Sequence, residues 1–156
     1  MNKRKLIEMD AAEVDSFLDQ EKVAIVSSFG PRGWPHSMPL WYVVRDQEVW
    51  SWTFTKSQKL VNLQRDPRAT VLVEAGNDVY AELRGVHFET EAVIHQDLDL
   101  ITAFAEELTM RYAPDGEEPS PEAMEAFRQQ APKRSVLQFV PTRTMSWDHR
   151  KLGGVY

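Results

Sequence analysis

The sequence predicts a mainly β fold, a small antiparallel barrel of six strands with four helices at its periphery. Three observations lead there. Apolar runs of strand length are separated by short turns rich in Gly, Pro, Asn and Asp, so neighbouring strands read as antiparallel hairpins. Helical segments interrupt the strands irregularly, without the strict alternation of a doubly wound sheet. The chain of 156 residues, 42% hydrophobic and 27% charged, has the length and balance of one globular domain spanning residues 1–156.

Asp10-Ala11-Ala12-Glu13 has capping-box spacing, and Val14, Phe17 and Leu18 follow at helical spacing, so a helix runs from Ala11 to Gln20. It closes an N-terminal helix region over residues 1–22. Val23 to Phe29 is a buried strand, and Gly30 to Pro35 a turn. His36 to Arg45 is a second strand, irregular at Pro39, whose nitrogen has no proton for a ladder. Asp46-Gln47 is a tight hairpin turn, and Glu48 to Thr55 the third strand. A helix from Ser57 to Arg65 ends at Asp66-Pro67. Ala69 to Glu74 is the fourth strand, and Ala75 to Asp78 turns the chain. Val79 to Ile94 is a long strand, or two bent at Gly85. Asp97 to Tyr112 is a helix with Leu98, Ile101, Phe104, Ala105 and Leu108 on one face. An acidic loop, Ala113 to Ser120, precedes a helix from Pro121 to Gln130, with proline at the first position where it costs nothing. Ser135 to Ser146 is the last strand, and Trp147 to Tyr156 a tail.

Composition narrows the function. There are no cysteines, so disulfides, thiolate catalysis and thiolate zinc sites are impossible. The four histidines, His36, His87, His95 and His149, share no metal-binding spacing, and no metal site is expected. A net charge of −6 argues against a nucleic-acid or anionic-membrane surface. No apolar run approaches the length of a membrane span, and the basic start has no signal-peptide core, so a cytoplasmic protein is expected. No GxGxxG, Walker loop, HExxH or GxSxG occurs.

The most pointed stretch is Trp50 to Arg68. A strand alternating aromatic and hydroxyl residues delivers Thr55, Lys56, Ser57 and Lys59 to the first turn of a helix. Free helical N–H groups, the helix dipole and ammonium groups all favour an anion there, a phosphate above all. Lysine and serine also start helices merely as caps and solubilising groups, so spacing alone leaves both readings open. The five tryptophans need a large cavity, a subunit interface or a flat ligand.

Gly33-Trp34-Pro35-His36-Ser37-Met38-Pro39-Leu40-Trp41-Tyr42, then Lys59-Leu60-Val61-Asn62-Leu63-Gln64-Arg65-Asp66-Pro67-Arg68, then Tyr80-Ala81-Glu82-Leu83-Arg84-Gly85 together resemble the split-barrel flavoproteins. These are the pyridoxamine 5'-phosphate oxidase-like proteins and the flavin/deazaflavin-dependent oxidoreductases, and the likeness covers Ala11 to Trp147. It implies a split β-barrel of Greek-key type, a homodimer, and two cofactor sites at the subunit interface. Ser37, Met38, Pro39 and Leu40 would run along the flat ring. Trp52, Thr53 and Phe54 would lie beneath the ring or its side chain. Thr55, Lys56, Ser57 and Lys59 would grip the phosphate, with Lys59 matching the family's phosphate lysine. The other subunit would supply groups near Asn77, Asp78 and Tyr80, with an aromatic from the tail, Trp147. One position departs: many members carry arginine two residues before the phosphate lysine, where this chain has Ser57.

The tail from Ser146 to Leu152 differs from the arginine-rich substrate motif of true pyridoxamine 5'-phosphate oxidases and looks more like the deazaflavin branch. The resemblance therefore implies an oxidoreductase that uses coenzyme F420 for hydride transfer to a small conjugated organic acceptor. The alternatives are FMN on the same fold, or a non-catalytic carrier of a flavin, haem or lipid-like ligand. No strong acid or base is required, and Tyr42, Tyr80 and His36 are the candidate proton donors.

Overall fold

A computed structural model of the chain describes residues 3–153. Met1 and Asn2 of the N-terminal region, and Gly154, Val155 and Tyr156 of the predicted tail, lie outside them. Seven strands form one antiparallel sheet: β1 Ala24–Phe29, β2 Pro35–Leu40, β3 Val43–Arg45, β4 Glu48–Phe54, β5 Arg68–Ala75, β6 Arg84–His95 and β7 Arg134–Asp148. The helices are α1 Lys3–Leu6, α2 Ala11–Gln20, α3 Gln58–Arg65, α4 Leu98–Tyr112 and α5 Pro121–Gln130.

The strand order is β2-β1-β5-β6-β7-β4-β3. Its two edges are successive pieces of one segment, joined only by Trp41 and Tyr42. Laid flat, the outer strands of seven would stand roughly 29 Å apart. The link from Leu40 to Val43 reaches about 10 Å. The sheet therefore has to curl until its edges meet, which makes it a half-barrel.

The predicted second strand, His36 to Arg45, is thus two strands, and the sheet has seven where six were expected. Its first part pairs with β1 and its second with β4. The backbone groups that leave the ladders at the crossing find side-chain partners: Ser51 Oγ donates to Trp41 O at 2.7 Å, and Tyr42 N donates to Tyr112 Oη at 2.8 Å.

Other predicted elements form for the expected reasons. Asp10 and Glu13 cap α2 reciprocally. Asp46 and Gln47 take positive φ, 50° and 65°, as a two-residue hairpin of matching twist requires. The long strand starts at Arg84 and not at Val79, because Tyr80–Glu82 coil into a 3₁₀ turn. Gly76, with φ 89°, packs so closely under that turn that a Cβ would stand 2.1 Å from Glu82 O. At the other end, Trp147 and Asp148 belong to β7, and His149–Leu152 form a further 3₁₀ turn.

Alternation along the strands sorts two cores. Val26, Val71, Val73, Phe88, Leu137 and Phe139 point inward and meet Phe17, Leu18, Leu60 and Leu63 from α2 and α3. Val43 and Val136 point outward and are covered by Ile101, Phe104 and Leu108 of α4. Among the described residues no helix is long and apolar enough to cross a membrane.

Candidate functional site

The β4–α3 junction gathers most of the predicted phosphate residues. Ser57 is the N-cap of α3, its Oγ accepting from Leu60 N. Thr53 Oγ1 donates to Ser57 Oγ at 2.9 Å and accepts from Lys59 Nζ at 3.1 Å. Lys59 is half-buried, and burial pushes its ammonium below the usual lysine range. Among the described residues no carboxylate pairs with it. Its positive charge is thus drawn out of water against a hydroxyl alone. Lys56 stands exposed in the turn beside it.

The start of the last strand and the 3₁₀ turn just before it add three residues that sequence reasoning missed. Thr55 N donates to Lys133 O at 3.0 Å. Ser135 lies opposite Thr53 and Arg134 opposite Phe54 in the β4–β7 register. Ser135 is fully buried, and its Oγ has no hydrogen-bond partner among the described residues. Arg134 lays its guanidinium 3.6 Å from the Phe54 ring centre and 4.5 Å from that of Trp52, with Nε likewise buried and unpartnered. The signal was present in the sequence as two adjacent basic residues, Lys133 and Arg134, where the chain enters the final strand. Only the register shows which turn they reach.

The predicted ring strand is β2. Ser37, Met38 and Pro39 are exposed and Leu40 half-buried, with Ser37 Oγ 2.7 Å from Ser27 Oγ on β1. The Ser51–Trp41 bond ties the end of β2 to β4 two residues before Thr53, so ring strand and phosphate junction adjoin at the barrel seam. Trp52 and Thr53 point to opposite faces of β4. The Trp52 ring packs toward Phe104 and Phe127 at 6.4 Å, while Phe54 stays 53% exposed.

Asn77, Asp78 and Tyr80 lie exposed in the β5–β6 connection, where Tyr80 meets His149. The Trp147 indole rests on Gly85. The junction opposite Ser135 and the Trp147 end are separated by most of β7, roughly 40 Å of extended chain. One copy of the chain does not bring these two groups together. Of the candidate proton donors, Tyr42 is fully buried and its hydroxyl donates to Leu18 O and Glu21 O, so it is part of the core and unable to reach a ligand. His36 is half-buried with Nδ1 unpartnered among the described residues.

Two clefts lie elsewhere, the first along β1, β5 and β6 and the second along β5, β6 and β7. One of about 410 Å³ is lined by Ser27, Phe29, Thr70 and Glu89, and one of about 500 Å³ by Leu72, His87, Met145 and Trp147. Neither holds the cations of the junction, so the chemistry of the side chains and not cavity size selects the site.

The sequence profile of the family described as pyridoxamine 5'-phosphate oxidase matches residues 11–148. The chain belongs to that family. The match spans both the junction and the Trp147 end, so each lies within the pyridoxamine 5'-phosphate oxidase-like fold. A crystal structure of the conserved hypothetical protein Rv2991 from Mycobacterium tuberculosis superposes with TM-score 0.87 at 38% identity, covering 98% of this chain and 93% of that one. An F420 reductase superposes with TM-score 0.62 at 23% identity, over 83% and 94% of the two chains. The haem storage protein HutZ from Vibrio cholerae superposes with TM-score 0.66 at 12% identity, over 87% and 94%. The last two similarities show the shared split barrel. No curated protein matches by sequence.

Proposed function

We propose that this chain is an oxidoreductase that binds the deazaflavin coenzyme F420 between two copies of itself, for hydride transfer to a small conjugated organic acceptor. The observation that carries the reading is the uncompensated Lys59. A half-buried ammonium bonded, among the described residues, to Thr53 alone, beside a capped helix start, lacks its counter-charge until an anion arrives. The orphaned Ser135 hydroxyl behind Thr53 adds to the unmet polar demand of the same junction. When bound, the cofactor supplies the hydride chemistry.

The chain's own residues bind and orient. Lys59 and Lys56 neutralise the phosphate, with Thr55, Ser57 and the first N–H groups of α3 as donors. The exposed backbone of Ser37 to Leu40 lies along the ring, with Thr53 and Phe54 at its side-chain end and Trp52 fixing β4 from behind. Asn77, Asp78, Tyr80 and Trp147 of the partner subunit complete the site. The fold shared with an F420 reductase supports this reading.

FMN is the second reading, favoured by the compact Thr53–Ser57–Lys59 cluster, which suits a phosphate monoester equally well. A carrier role on the fold shared with HutZ is the third. Absorbance of the purified protein with cofactor titration separates them. A flavin spectrum marks FMN. A colourless protein that binds and oxidises reduced F420 marks the leading reading, and a protein that binds neither overturns both enzyme readings. Lys59→Ala is expected to weaken cofactor binding by more than about tenfold; unchanged affinity would remove the junction as the phosphate site.

A further inference from the structure

We infer that the cleft along β5, β6 and β7 holds the acceptor, that His87 donates a hydrogen bond to its carbonyl oxygen, and that the acceptor is a small α,β-unsaturated carbonyl compound. This rests on the hydride-transfer reading above and adds the substrate class and a residue that binds it. The cleft, about 500 Å³, has the size of a small-molecule site. Leu72, Met145 and Trp147 give it apolar walls. Among the described residues no carboxylate lines it, although the chain carries a net charge of −6. Arg4 borders it, so a cationic ligand meets no counter-charge there, and the apolar walls favour a largely uncharged molecule.

The uncharged polar side chains of the cleft are not equally available. Ser146 Oγ is taken up by Met9, accepting from its N at 3.0 Å and donating to its O at 3.3 Å. His149 Nδ1 stands 3.1 Å from Tyr80 O. His87 is half-buried, with Nδ1 enclosed and unpartnered among the described residues. Of the two neutral tautomers, the one with its proton on the enclosed nitrogen strands a donor, the costlier choice. The proton therefore sits on Nε2, and the ring offers a ligand that N–H.

Strand register ties this donor to the ring strand. Pro39 lies opposite Ile25, Ile25 opposite Leu72, Leu72 opposite His87, and His87 opposite Met145. Directly opposed residues share a face, so Pro39 and His87 stand on one face of the sheet, roughly 14 Å apart along it. A two-fold axis parallel to the strands reverses that row and sets β2 of one copy against β6 and β7 of the other. In that pairing Trp147 of the partner subunit completes the ring site, and an acceptor in the partner's cleft lies against the ring. Hydride adding to the β-carbon of such an acceptor moves the alkene electron pair toward the carbonyl oxygen, where the Nε2 proton meets the growing charge. The hydride and its two electrons come from the reduced cofactor, and a proton from water completes the α-carbon.

The test is calorimetric titration of the full chain, with and without saturating oxidised F420, using benzylideneacetone and 1-phenyl-1-butene. The second has the same skeleton without the carbonyl, and the chain has no cysteine for the enone to alkylate. The unaltered protein is expected to prefer the enone by about tenfold, and His87→Leu to cut that preference below about twofold while leaving the hydrocarbon's affinity in place. His87→Gln, which keeps a donor, should retain part of the preference. Enone binding should also shift the ring-nitrogen NMR signal that His87→Leu removes. Because Nδ1 has no partner to lose, His87→Leu should unfold at the same temperature or higher, which separates the binding loss from a folding defect. A preference unchanged in His87→Leu overturns the inference. If F420 binds and the enone does not, in either state, the cleft assignment falls and the cofactor reading stands. If the enone binds through His87 and F420 does not bind, the cleft stands as a site for conjugated carbonyl compounds and the cofactor reading falls.

Discussion

Gly85 lies directly beneath the indole of Trp147: a Cβ on Gly85 would stand 2.2 Å from Cζ2 of that ring. The two residues face each other across β6 and β7, and the glycine gives the indole room to lie flat on the sheet. Gly85→Ala is expected to cost about 1–3 kcal/mol by forcing the ring aside. Thermal unfolding measures the loss, and a red-shifted tryptophan emission reports the displaced indole. Trp147→Ala combined with Gly85→Ala should be more stable than the two separate losses sum to, since the clash is gone. Strictly additive losses would show that the two residues do not compete for the same space.

Tyr42 is a second close-packed residue, fully buried. Its hydroxyl and the guanidinium of Arg111 both donate to Leu18 O and Glu21 O, satisfying the end of α2. Because Arg111 keeps those carbonyls partnered, Tyr42→Phe is expected to cost only about 1 kcal/mol. Arg111→Lys, which cannot reproduce the fork, should cost more. Burial pushes the Tyr42 hydroxyl above its ordinary pKa. Its contribution is therefore complete below the unfolded value of about 10 and is lost as pH rises beyond it. Denaturant midpoints across alkaline pH should show that fall in the unaltered protein and a shallower one in Tyr42→Phe.

Much of this was legible in the sequence where the cause is local. Capping at Asp10, the Asp46-Gln47 turn and the alternation of β4 depend on near neighbours, and each element formed as read. The splitting of His36–Arg45 did not show, because barrel closure depends on two sheet edges meeting and no local pattern encodes that. Val79 to Leu83 read as strand from its apolar residues, and the packing of Gly76 against Glu82 O overrode that preference. Lys133 to Ser135 stayed invisible as site residues because their relation to Thr53 and Phe54 is one of register across more than half the chain.

Lys59 gives the junction a pH signature. Its folded-state pKa lies below the usual lysine value because burial disfavours the charge. In the ligand-free protein the charged amine costs stability, and that cost is relieved as pH rises through the lowered pKa. Anion binding has the opposite demand and needs the proton. Affinity for inorganic phosphate or cofactor is expected to be level at neutral pH and to fall once pH passes the free protein's Lys59 value, earlier than an ordinary lysine would allow. Lys59→Arg should move the fall to higher pH, since guanidinium stays charged. A profile identical in both proteins would assign the titration to another group.

The separation of the junction from the Trp147 end argues for a site shared between copies, and mixed dimers test it. If each site takes Lys59 from one copy and Tyr80 from the other, Lys59→Ala and Tyr80→Ala chains each form homodimers with two defective sites. Exchanging subunits between them creates mixed dimers in which one site carries both defects and the other none. Such mixtures should recover tight cofactor binding at about half a site per chain in the mixed population, as seen by titration after subunit exchange. Were the site built within one copy, every mixed dimer would hold one site lacking Lys59 and one lacking Tyr80, and no tight binding would return. Tyr80 suits the experiment because it is 63% exposed, so its truncation leaves the core untouched. The outcome therefore reports how the site is assembled and not how well each variant folds.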